Sequence, residues 1–121
     1  MKKILLVEDD QLLFTIISKE LSEAGFSVCN AYDGDQAITV AGKEIPDLIL
    51  LDIIMPIKDG FEVLKVLKQD TKTSAIPVLI LSNLGQPEDV RRATEGGAIG
   101  YMIKVEFEPK QIIEKVKSVV G

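Results

Sequence analysis

The chain has 121 residues, a formal charge of −5 and no histidine, which is one domain by length and leaves out phosphohistidine chemistry, histidine-dependent triads and histidine metal sites. Its basic residues are scattered among a larger number of acidic ones, so a direct nucleic-acid footprint is not expected. The single cysteine, Cys29, cannot close an internal disulfide and suits a reducing cytoplasm. The apolar run after Met1-Lys2-Lys3 stops at Val7, too short for a signal peptide, and no run in the chain approaches the ~18 apolar residues of a membrane span.

Apolar, β-branched-rich runs predict strands near Lys3 to Val7, Ser27 to Ala31, Leu48 to Leu51, Val78 to Leu81 and Gly100 to Ile103. Between the first two, Leu12, Leu13, Ile16, Ile17, Leu21 and Ala24 follow helical spacing and stop at Gly25, a residue suited to a left-handed helix cap. A second helix runs from about Gly34 to Glu44, with Asp33 as its N-cap. Met55-Pro56 and Asp59-Gly60 read as a turn, after which Phe61, Leu64 and Leu67 form the stripe of a third helix. Pro87-Glu88-Asp89 opens a fourth, since proline fits the first turn and acids fit the positive end of the helix dipole, and Gly96-Gly97 ends it. Pro109 starts the last helix, whose apolar stripe is Ile112, Ile113, Val116, Val119 and Val120.

Strands alternating with helices are the mark of βαβ units on a parallel sheet, and nearly unbroken apolar strands require cover on both faces. Right-handed crossovers then permit a doubly wound α/β sandwich of five strands and five helices. The pattern does not fix the strand order.

Chemistry-bearing residues stand at the carboxyl ends of these strands, where open α/β sheets bind ligands. Glu8 and Asp9 follow the first strand, Asp52 the third, Ser82 the fourth and Lys104 the fifth. Two carboxylates ~4 Å apart repel by ~4 kcal/mol at an effective dielectric of 20, a strain that a divalent cation relieves. Carboxylate and carbonyl donors without thiol or imidazole favour magnesium over zinc. Each residue also has a structural use: Asp9 or Asp10 as cap of the first helix, Asp52 and Ser82 as turn formers, Lys104 as a surface lysine. Together they point to phosphoryl transfer onto Asp52, with Lys104 supplying a point charge and Ser82 a hydroxyl donor.

These residues give the whole chain a resemblance to the response-regulator receiver domains of two-component signalling. The motifs that carry it are Ile4-Leu5-Leu6-Val7-Glu8-Asp9, Leu51-Asp52-Ile53-Ile54-Met55-Pro56, Asp59-Gly60, Leu81-Ser82 and Gly100-Tyr101-Met102-Ile103-Lys104. The resemblance implies one receiver domain over residues 1–121 with a flavodoxin-like sheet of order 2-1-3-4-5. It implies a magnesium ion held by Glu8, Asp9, Asp52 and the backbone carbonyl of Ile54, with Asp52 as the phosphoacceptor. A histidine kinase or phosphotransfer protein would supply the phosphoryl group, and Ser82 and Tyr101 would then switch together. The face formed by the fourth helix, fifth strand and fifth helix would exchange downstream protein targets. Such a protein phosphorylates itself from a donor and loses the group slowly; it is not a turnover enzyme. Monomer and weak dimer both remain open, since Arg91 and Arg92 suit either an interface or a solvated face.

Three departures from the family pattern bear on the site. Val105 stands where a proline usually follows the lysine, which predicts a different path for that loop. Asn83 stands where a smaller residue is usual, which predicts narrower access to the phosphoryl pocket. Ile54 and Leu84 place apolar groups where receivers tune the attacking water, which predicts slow loss of the phosphoryl group. An aspartate-nucleophile phosphohydrolase is disfavoured because Ile54 replaces the second acid such chemistry needs. A nucleotide-binding site is disfavoured because acids, not a glycine-rich turn, follow Val7. The alternative that survives is a phosphorylation-independent interaction module with a receiver-like fold.

Overall fold

Alternate residues of the central strands serve two different cores. In the computed structural model, which describes residues 1–121, the elements in chain order are β1 (Lys3–Val7), α1 (Gln11–Glu23), β2 (Ser27–Ala31), α2 (Gly34–Glu44), β3 (Leu48–Leu51), α3 (Gly60–Gln69), β4 (Val78–Ser82), α4 (Pro87–Glu95), β5 (Gly100–Ile103) and α5 (Pro109–Val120), with a single 3-10 turn over Lys104–Glu106. All the strand pairs are parallel and the sheet order is β2-β1-β3-β4-β5. Because side chains alternate along a strand, Leu5, Val7, Ile49, Leu51 and Ile80 face α2, α3 and α4, where Ala37, Ala41, Phe61, Leu64 and Leu67 meet them. Ile4, Leu6, Leu48, Leu50 and Leu79 face the other way, onto Ile17 and Leu21 of α1 and Ile112, Ile113 and Val116 of α5. The doubly wound sandwich expected from the alternation of elements is therefore the fold.

The helix ends are built from the residues that sequence rules select. Asp33 accepts from Gln36 N at 2.8 Å and Asp59 from Glu62 N at 2.9 Å, capping α2 and α3. Asp10 takes the cap of α1, accepting from Leu12 N and Leu13 N at 3.0 and 3.1 Å, which leaves Asp9 free for the rim. Gly25 and Gly97 adopt φ of 94° and 104° just beyond α1 and α4. β4 runs one residue further than its apolar pattern, because Ser82 still pairs with Ile103.

Two isoleucines sit where the pattern of side chains gives no warning. Ile45 closes α2 at φ 43° and Ile57 lies in the loop after Asp52 at φ 72°. This left-handed region is unfavourable for a β-branched residue.

Candidate functional site

β1 and β3 are neighbours with Val7 opposite Leu51, so Glu8 and Asp52 leave the sheet side by side. Their backbones extend the ladder by one further bond each: Asp52 N donates to Val7 O at 3.2 Å, and Glu8 N to Ala31 O at 3.1 Å. Both acids are thus held by strand geometry, and both are buried, Glu8 at 1% exposure and Asp52 at 5%. Asp9, one residue further out, is exposed. One carboxylate oxygen from each of Glu8, Asp9 and Asp52 lies within 4.8 Å of the others.

Lys104 reaches this cluster from the far edge of the sheet, across β4. Its Nζ donates to Asp52 Oδ2 at 2.8 Å and lies 2.6 Å from Glu8 Oε1. The second Asp52 oxygen, Oδ1, accepts from Ile53 N at 2.7 Å, and Glu8 Oε2 accepts from Asp10 N at 3.1 Å. Burial pushes the Glu8 carboxyl above its ordinary range, against the pull of the Lys104 and Asp10 hydrogen bonds. Burial also works against the charge on Lys104, but the bonds to Asp52 and Glu8 outweigh it and the ammonium is held above its ordinary value. The lysine is therefore charged at neutral pH, anchored between two carboxylates.

Ser82 is fully buried, and its Oγ accepts from Leu84 N at 3.2 Å. The Leu84 carbonyl in turn accepts from the Tyr101 hydroxyl, so the serine loop and the tyrosine share one residue as anchor. Burial raises the Tyr101 phenol, with the charges of Asp89 and Asp52 adding to it, which keeps the hydroxyl a donor. The Ile54 side chain is largely exposed, leaving only its backbone as a means of serving the cluster.

The chain brings Glu8, Asp9, Asp52 and Lys104 together directly, with Ser82 next to them on β4. The bond from Lys104 to Glu8 was not legible in the sequence, because nothing in the spacing tells which of several rim carboxylates an ammonium on the edge strand will reach. After Lys104 the chain forms a 3-10 turn, and the lysine reaches both acids. The Asn83 side chain is exposed, and its Oδ1 accepts from Val105 N at 3.2 Å.

Three carboxylates with no thiol or imidazole among them form a hard oxygen donor set, which fits a divalent cation. The family model for the response regulator receiver domain matches residues 4–117. The DNA-binding dual master transcriptional regulator RpaA of Synechocystis sp. is 36% identical over 120 residues, covering 99% of this chain and 49% of the relative. The chain spans about half the length of the curated relatives it matches. Among solved structures, the chemotaxis protein CheY4 of Vibrio cholerae superposes with a TM-score of 0.91 at 31% identity, covering 98% of each chain. The BeF3-activated receiver domain of DrrB superposes with a TM-score of 0.86 at 27% identity, covering 99% of this chain and 97% of that one. The fold, the ordered rim residues and the family match agree, and the chain belongs to the response-regulator receiver family.

Proposed function

We propose that residues 1–121 act as one receiver unit in which Asp52 takes a phosphoryl group from a phosphohistidine on a partner kinase or phosphotransfer protein. The observation that carries this reading is the Asp52 carboxylate itself, buried, 2.8 Å from the Lys104 ammonium and grouped with Glu8 and Asp9. A carboxylate oxygen of Asp52 attacks phosphorus while the P–N bond of the donor breaks, and the electron pair leaves with the partner's imidazole, which takes up a proton. Lys104 neutralises charge on the phosphoryl oxygens, and the Ser82 hydroxyl donates to one of them. Glu8, Asp9, Asp52 and the Ile54 carbonyl would hold a magnesium ion, which would supply the remaining positive charge. The DrrB relative supports the reading, since trifluoroberyllate has the shape and charge of a phosphoryl group and DrrB is described as activated by it.

Phosphorylation adds nearly two negative charges at a buried point. That favours a state in which Ser82 moves towards the phosphoryl group and Tyr101 follows, through their shared anchor at Leu84. The surface formed by α4, β5 and α5 then exchanges protein partners, without direct contact to DNA. No helix is long and apolar enough to cross a membrane, and Cys29 is a free thiol; both agree with a place in the cytoplasm. Intact mass after brief incubation with magnesium and acetyl phosphate tests the reading. One added phosphoryl group on the wild type and none on Asp52→Asn is expected. A folded wild type that gains no mass would leave the receiver-like interaction module as the function.

A further inference from the structure

We propose that Asn83 is a positioning residue for the Lys104 ammonium and acts through the backbone amide of Val105. The pairing of β4 with β5 ends at Ser82 opposite Ile103, so Asn83 and Lys104 are the first residues beyond the paired strands. There the Asn83 side chain adds one more link, with Oδ1 accepting from Val105 N at 3.2 Å. The link closes a ring whose two ends bear chemistry. Asn83 is one peptide unit from the buried Ser82, and Val105 is one peptide unit from Lys104.

Phe107 anchors the far end of the turn against the core beside α5, but the start of the turn has fewer ties. Val105 is 81% exposed, so its side chain contributes little packing, and the next backbone bond, from Phe107 N to Lys104 O, is long at 3.3 Å. The Asn83 link therefore fixes the backbone from which the lysine stem starts its reach to Asp52 and Glu8. It also ties that stem to the Ser82 loop, whose own anchors are the Leu84 amide and carbonyl. A displacement of Ser82 is transmitted to Lys104 through one side chain.

This inference rests on Asp52 as the phosphoacceptor, and a four-protein comparison tests both. The rate of mass gain from acetyl phosphate and magnesium is measured for the wild type, Asn83→Ala, Lys104→Ala and the double variant. Asn83→Ala is expected to slow the wild-type reaction about tenfold, a part of the ~100-fold that a 1 Å misplacement produces. In the Lys104→Ala background the same substitution should add nothing, and Asn83→Asp, which keeps an acceptor oxygen, should restore most of the rate. An Asn83→Ala protein as fast as the wild type overturns the proposal. So does equal slowing with and without the lysine, which would mark a structural effect. A wild type that takes no phosphoryl group overturns the reading of Asp52 and this inference together, which separates the two failures.

Discussion

A Cβ on Gly60 would stand 2.3 Å from the backbone carbonyl oxygen of Asp52. The first residue of α3 is thus pressed against the peptide of Asp52, and Gly60 N donates to Ile53 O at 2.7 Å. Backbone atoms lie on both sides of the contact, so nothing flexible can yield. Gly60→Ala should therefore destabilise the fold by about 2–3 kcal/mol through overpacking, with a matching fall in the urea midpoint. Phosphorylation of the folded fraction should slow as well, since the shift falls on Asp52.

The ammonium of Lys104 is the counter-charge of two buried carboxylates. Removing it leaves both uncompensated, and Lys104→Met should lower stability by about 3 kcal/mol in the presence of EDTA. Millimolar magnesium should recover more stability in the variant than it adds to the wild type, because the ion then meets a site with a larger unbalanced charge. Paired urea titrations with and without magnesium measure both effects; equal gains in the two proteins would refute this account of the site.

Neighbouring acids with different partners should respond differently to truncation. Asp10→Ala removes the cap of α1 and should lower stability by about 1 kcal/mol while leaving the phosphorylation rate and its magnesium dependence as they are. Asp9→Ala removes an exposed member of the acid cluster. It should barely move the urea midpoint but should raise the magnesium needed for half-maximal phosphorylation.

Ile57 holds a positive φ of 72° while 71% exposed. Little packing is lost by replacing it, and Asn tolerates the left-handed region. Ile57→Asn should stabilise the protein by about 1 kcal/mol, read as a higher urea midpoint with an unchanged slope. If the isoleucine serves partner docking, the same variant should weaken transfer from a cognate kinase while leaving transfer from acetyl phosphate intact.

Burial raises the Cys29 thiol above its ordinary value, and the charge of Glu44 adds to this while Lys3 opposes it. The folded chain holds that proton more tightly than the unfolded chain does. The stability it contributes is fully present below the ordinary thiol range and is lost as pH rises through the folded value. Cys29→Ala should therefore flatten the loss of stability in the alkaline range. Alkylation of the native thiol by iodoacetamide at pH 8 should run slower than in urea.

Much of this molecule is written in periodicity. The strand that ends at Val7 and the strand that ends at Leu51 read directly from their apolar runs, and with them the acids that follow. Caps such as Asp33 and Gly25 read from local rules. The order of the strands does not, since a parallel pattern is compatible with several windings and only the family resemblance selected one. Which acid meets Lys104 depends on reach across β4, a distance the spacing does not encode. Ile45 and Ile57 at positive φ run against residue preference, so no propensity rule could find them, and their exposed side chains supply little packing to offset the local cost. The Asn83 to Val105 bond joins two residues that were each read alone as an irregularity.

Chain order and sheet order give the acid cluster a history during synthesis. β1 and β3 are adjacent in the sheet, and Glu8, Asp9 and Asp52 are all synthesised before Lys104. Lys104 follows 52 residues after Asp52, on the last strand and at the edge. A nascent chain that zips β1 to β3 early thus gathers three negative charges before their protein counter-charge exists.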